Sequence, residues 1–129
     1  MKEVNQNLTP LEWEIMDIIW ELKKSLSVRE VLETAYPDGN KAYTTVQTVM
    51  NNLEAKGFLK KEKIGLVNFY KPLIFHKDML RKETSQFVKR VFGGSFPGLV
   101  NYLIDSKALT EEEINDLKKL IAEKGEGES

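Results

Sequence analysis

The chain contains no cysteine and one histidine in 129 residues. Disulfides, thiolate chemistry and a Cys/His zinc site are thereby excluded, and His76 has no second ligand candidate in the sequence. Long apolar runs are missing as well. Stretches such as Ile18-Ile19-Trp20 and Ile64-Gly65-Leu66-Val67 fall far short of a membrane span. Met1 to Asn7 lack the basic and apolar pattern of a leader, so a cytoplasmic location is expected. Nor is there a Gly-rich phosphate loop, or a nucleophile and base that could be paired, so no enzyme activity, metal or cofactor is expected.

Net charge is nearly absent too, at −1, but its distribution is uneven. Residues 1–40 hold four Lys/Arg against eight Asp/Glu. Residues 41–71 reverse this, with six lysines against Glu54 and Glu62, a local balance of +4. An overall pI of 5.9 argues against a general nucleic-acid coat. A local basic excess is nevertheless what a phosphate footprint needs. The apolar fraction of 41% and charged fraction of 30% are those of a folded soluble protein. The length suits one domain with a true core, or a small domain with an appendage.

Three helix starts are written as capping boxes, in which a hydroxyl accepts from a first-turn amide and a glutamate reaches back. They are Thr9-Pro10-Leu11-Glu12, Ser27-Val28-Arg29-Glu30 and Thr110-Glu111-Glu112-Glu113. After the first, Leu11, Ile15, Ile18, Ile19 and Leu22 recur at helical spacing, with Lys23 and Lys24 expected in the last turn, where they suit the helix dipole. Trp13 and Trp20, on the same helix face, are expected in core or interdomain packing. The second helix is short and ends at the turn "PDGN". A third runs through "YTTVQTVMNNLEAKGFL", with Val46, Val49, Met50 and Leu53 as its core stripe and Lys56-Gly57 as its stop. Two short strands then flank the turn at Ile64-Gly65-Leu66 and close at Pro72. Three helices and a hairpin in this order define a winged helix-turn-helix.

The third helix presents an unusual outer face. At about 100° per residue, Thr44, Gln47, Thr48 and Asn51 lie opposite the core stripe, flanked by Thr45 and Asn52, with no Lys or Glu among them. A helix that enters a major groove roughly 12 Å wide needs short side chains that donate and accept, because Gln and Asn match adenine and Thr suits several base edges. Lys41 precedes this helix, and Lys61 and Lys63 follow on the hairpin, so positive charge flanks the reading face without occupying it. Taken alone, each feature also fits a solvated helix or a lysine-guarded edge strand. The N-cap is open among Ala42, Tyr43 and Thr44; as the cap, Thr44 would have its hydroxyl partly engaged.

Beyond Pro72, three short amphipathic helices follow. Their apolar edges are Leu80, Phe87, Val91 and Phe92, then Leu99, Val100 and Leu103, then Ile114, Leu117, Leu120 and Ile121. Alone they bury little area, so a homodimerisation role is expected. The fold class is therefore mainly α with a small β-hairpin wing: residues 1–73 a DNA-binding winged helix, 74–124 a helical dimerisation domain, and 125–129 a disordered tail.

The stretches "LTPLEWEIMDIIW", "YTTVQTVMNNLEAKGFL", "FVKRVFGGSFPGLVNYLID" and "LTEEEINDLKKLI" together resemble the BlaI/MecI family of penicillinase and methicillin-resistance repressors. The resemblance implies homodimers that bind palindromic double-stranded operators with TACA and TGTA half-sites. It implies base and backbone contacts at Thr44, Thr45, Gln47 and Thr48, and wing contacts near Lys61 and Lys63. The methicillin-resistance type has Pro and Lys where Tyr43 and Thr44 stand, and Arg where Gln47 stands. The resemblance also implies a partner, a membrane sensor metalloprotease that cuts an Asn-Phe bond in the dimerisation domain; Asn101-Tyr102 stands at that point. The copper-responsive branch carries a C-terminal Cys cluster that this chain lacks. Two other readings stand beside this one. One is a winged-helix protein-interaction module without specific DNA binding. The other is a regulator that senses a small molecule, for which the sequence locates no pocket.

Overall fold

All three capping boxes close in the computed structural model, which describes residues 7–127. Thr9 N–H donates to Glu12 Oε1 at 2.8 Å and Glu12 N–H to Thr9 Oγ1 at 3.1 Å. Ser27 with Glu30, and Thr110 with Glu113, repeat the exchange. The helices they start are α1 (Pro10–Leu22), α2 (Val28–Ala35) and α6 (Glu111–Gly127). Between them lie β1 (Leu26–Ser27), α3 (Tyr43–Ala55), β2 (Leu59–Ile64), β3 (Val67–Pro72), α4 (His76–Phe92) and α5 (Phe96–Asp105).

The core of the first unit comes from the expected stripes. Ile15, Met16 and Ile19 of α1, Val31 of α2, and Val46, Met50 and Leu53 of α3 are all buried, together with Phe58, Leu59 and Tyr70 from the hairpin. Leu11, Ile18 and Val49 are partly buried against this cluster, whereas Leu22 is exposed. Lys23 is not in the last turn of α1. It is the C-cap, left-handed at φ 54°, because the chain must turn there into β1. The hairpin is joined by β1 to make a three-stranded antiparallel sheet, order β1-β3-β2. Gly57, at φ 90°, supplies the left-handed residue that swings the chain from α3 into β2.

The first compact unit runs to Met79. The physical reason is that the start of α4 belongs to the first core. Met79 is buried in it. The Trp20 indole N–H donates to the Ile74 carbonyl at 2.9 Å, and His76 stacks on Trp20 with centroids 4.5 Å apart and planes 12° apart. Trp13 lies 6.0 Å from Trp20, so the tryptophan pair serves the core of this unit.

In the second unit, α4 ends at Gly93-Gly94, both with positive φ, and Ser95 caps α5 by accepting from Gly98 N–H at 2.9 Å. Helix α6 continues through Gly127, so the tail expected from residue 125 is helical as far as it is described. Glycine costs a helix about 1 kcal/mol in its interior, but in a terminal turn the ladder formed by the preceding residues carries it. Residues 128 and 129 lie outside the described range. Val88 is the buried hydrophobic residue here, while Leu80, Phe87, Val91, Leu117, Leu120 and Ile121 are exposed and Phe92, Leu99, Leu103 and Ile114 are half-buried. No described helix is long and apolar enough to cross a membrane.

Candidate nucleic-acid interface

Helix α3 is pressed onto the core by Val46, Met50 and Leu53, and this fixes which way its other side points. Thr44, Thr45, Gln47, Thr48 and Asn52 are all exposed on that side. The N-cap is Ala42, and it makes no side-chain cap bond. The Thr44 hydroxyl is therefore not engaged as the N-cap. The first amides of α3 also keep no side-chain partner, and such amides suit a phosphate oxygen. Lys41 stands beside them, half-buried.

Asn51 differs from its neighbours. It is half-buried, and its Oδ1 accepts a 2.8 Å hydrogen bond from the buried Tyr70 hydroxyl on β3. Burial, with the Glu54 carboxylate and Tyr43 adding to it, raises the Tyr70 phenol above its usual pKa, which keeps it a donor. The bond ties the outer helix to the wing, so one acceptor of Asn51 is already in use.

The tie also orients the wing. Across β2 and β3, Leu59 faces Pro72, Lys61 faces Tyr70 and Lys63 faces Asn68. Because side chains alternate along a strand, Lys61 and Lys63 share a sheet face with Tyr70, the residue that touches α3. Lys60 and Glu62 point the other way. Lys61 Nζ sits 5.7 Å from the Tyr70 ring centroid, a cation–π contact that holds its stem over the helix side of the sheet. Both lysines are exposed. Thus the uncharged face of α3 and the two wing cations open onto one side of the first unit.

One further cation lies beside this surface. Arg29 on α2 lies 5.1 Å from the centroid of the Tyr43 ring at the start of α3, placing a cation at the gap between the two helices. Arg29 is one of only four cations among residues 1–40, and its position inside a capping box was the available sequence signal. Tyr36, which ends α2, donates to Glu14 Oε1 at 3.0 Å. Its phenol is pushed up to about 12 by burial, then by this hydrogen bond and the carboxylate charge.

A trihelical core whose third helix shows an exposed, uncharged face, with a basic hairpin on the same side, defines a winged-helix nucleic-acid-binding unit. The solution structure of the DNA-binding domain of the repressor BlaI superposes with a TM-score of 0.52 at 32% identity, covering 60% of this chain and 93% of that one. The penicillinase repressor family profile matches residues 8–123, and the chain belongs to that family. The methicillin resistance regulatory protein MecI of Staphylococcus aureus is 27% identical over 124 residues, covering 96% of this chain and 100% of that protein. The penicillinase repressor of Bacillus licheniformis is 29% identical over 123 residues, covering 95% and 94%.

Proposed function

We propose that the protein is a dimeric transcriptional repressor that reads a palindromic operator with α3. The observation that carries this reading is the convergence of the exposed Thr44, Thr45, Gln47 and Thr48 with Lys61 and Lys63 on one side of the first unit. Short hydrogen-bonding side chains enter the groove, and cations meet the phosphates on either side. Two copies related by a two-fold axis place two such helices in successive major grooves, about 10 base pairs apart. Family membership supports the repressor role and points to TACA/TGTA half-sites as the first operator to try. Lys41, the first amides of α3 and Arg29 act as backbone contacts, Asn52 lies at the rim of the reading face, and Asn51 contributes through its tie to the wing.

The second unit supports self-association. Leu80, Phe87, Val91, Leu117, Leu120 and Ile121 are apolar side chains exposed on this unit, and Phe92, Leu99, Leu103 and Ile114 are half-buried, which suits burial against a second copy. Relief of repression by cleavage between Asn101 and Tyr102 fits this arrangement, since both residues are exposed. The bond lies inside the ten-residue α5, however, and Tyr102 is 6.1 Å from the Phe92 ring. A sensor protease would have to act on a locally unwound α5.

The reading role is separable from the phosphate role by mutation. Gln47→Ala or Thr48→Ala should cost about 1–3 kcal/mol on the cognate duplex and little on random DNA, whereas Lys61→Ala should weaken both equally and lower the salt slope by about one. Fluorescence titrations on both duplexes at several salt concentrations measure this. Equal losses on both duplexes for Thr48→Ala would remove it from base reading.

A further inference from the structure

An open cleft of about 600 Å³ lies in the first unit between the end of α1, the segment leading into β1 and the chain leaving β3. This is within the range of small-molecule sites, roughly 300–1,000 Å³. Its apolar side is made by Trp20, Ile74 and Phe75, and Phe75 is 75% exposed. Its polar side holds Lys23, Lys24 and Lys71, with His76 beside Trp20.

The charges around the cleft are unequal. Lys24 is 3.7 Å from Glu30, so this cation faces a carboxylate, and the His76 ring lies 4.0 Å from Asp17. Lys23 and Lys71 have no ion-pair partner among the described residues. The cleft thus offers about one to two uncompensated positive charges next to an aromatic wall, complementary to a flat apolar body with a single negative head. A polyphosphate would leave the apolar wall unused. Lys71 precedes Pro72 and alternates with Tyr70, so it lies on the sheet face opposite Lys61 and Lys63. Occupancy of the cleft therefore leaves the DNA-reading side free.

We propose that this cleft is a binding site for a small aromatic carboxylic acid, with its ring against Phe75 and the His76–Trp20 stack and its carboxylate between Lys23 and Lys71. The probe pair is 2-naphthoate and 2-naphthamide, which share a ring system and differ in charge. Each is titrated into the isotopically labelled full chain while backbone amide and tryptophan indole NMR signals are followed. The expected result is saturable naphthoate binding that moves signals of residues 19–25 and 71–76, with the amide about tenfold or more weaker. Lys23→Gln with Lys71→Gln should weaken naphthoate by a similar factor and leave the remaining spectrum, and hence the fold, unchanged. Shifts confined to the apolar faces of α4 to α6, equal binding of the neutral amide, or no saturation would each overturn the proposal. So would loss of naphthoate binding when a tightly bound DNA duplex is added, because the lysines would then belong to a DNA contact.

Discussion

Leu120→Asp combined with Ile121→Asp is expected to give a folded monomer that has lost operator affinity by roughly two orders of magnitude or more. Both side chains are exposed on α6, 52% and 69% respectively, so two carboxylates there cost the isolated chain little. In a dimer the same carboxylates would be forced into an apolar contact without partners, which is severely unfavourable. Binding to a palindrome depends on the second reading helix being held at high local concentration by the first. Once the copies separate, each retains only its half-site affinity. Sedimentation equilibrium should therefore report a monomer, and titration of a single half-site duplex should match the unaltered protein. A variant that stays dimeric, or that loses half-site affinity equally, would show that α6 is not where the copies meet.

The second large effect is on stability. Lys56→Met should destabilise the first unit by about 3 kcal/mol, a value at the low end for breaking a buried ion pair. Glu12 is 3% exposed, and its Oε1 accepts both the Thr9 amide and Lys56 Nζ, the latter at 2.7 Å. Lys56 also reaches the Asn7 carbonyl at 3.4 Å, so it fastens the start of α1 to the end of α3. Without the ammonium, a carboxylate shut away from water keeps only its cap bond. The lysine side chain retains 23% of its surface exposure, which moderates the loss. Adding Glu12→Gln to Lys56→Met removes the stranded charge and should recover part of the stability. Urea unfolding followed by the fluorescence of Trp13 and Trp20, both packed in this unit, measures the two variants. A double variant less stable than Lys56→Met alone would contradict the explanation.

Neither the Glu12–Lys56 pair nor the Asn51–Tyr70 bond could be read from the sequence, and for the same reason. Each joins residues far apart in the chain through side chains whose local role already looked complete: Glu12 as the closing member of a capping box, Asn51 as one more polar residue on an outer face. What was legible lay in short-range chemistry. Hydroxyl–glutamate pairs at three residues' spacing marked helix starts, and apolar periodicity gave α1, α3 and their buried sides. Lys56-Gly57 marked the stop before the wing. Strand β1 escaped notice because two residues carry no alternation, and it becomes a strand only by pairing with Tyr70 and Phe69. Ser95 was hidden by the preceding glycines, although Pro97 after it fits a first helical turn. The extra turn of the first unit past Pro72 depends on Trp20 reaching Ile74 and His76, a tertiary contact that no local pattern encodes.

If α3 reads base sequence while the wing lysines hold the backbone, affinity depends on operator sequence as well as on salt. Fluorescence anisotropy of the full chain with a TACA/TGTA palindrome and a scrambled duplex of equal length, each across a range of salt, tests it most directly. Nanomolar-range binding to the palindrome is expected, with a preference of roughly a thousandfold or more near physiological salt, and steep salt dependence on both duplexes. Absence of binding to either duplex at low salt would contradict it and leave the winged helix as a protein-interaction module.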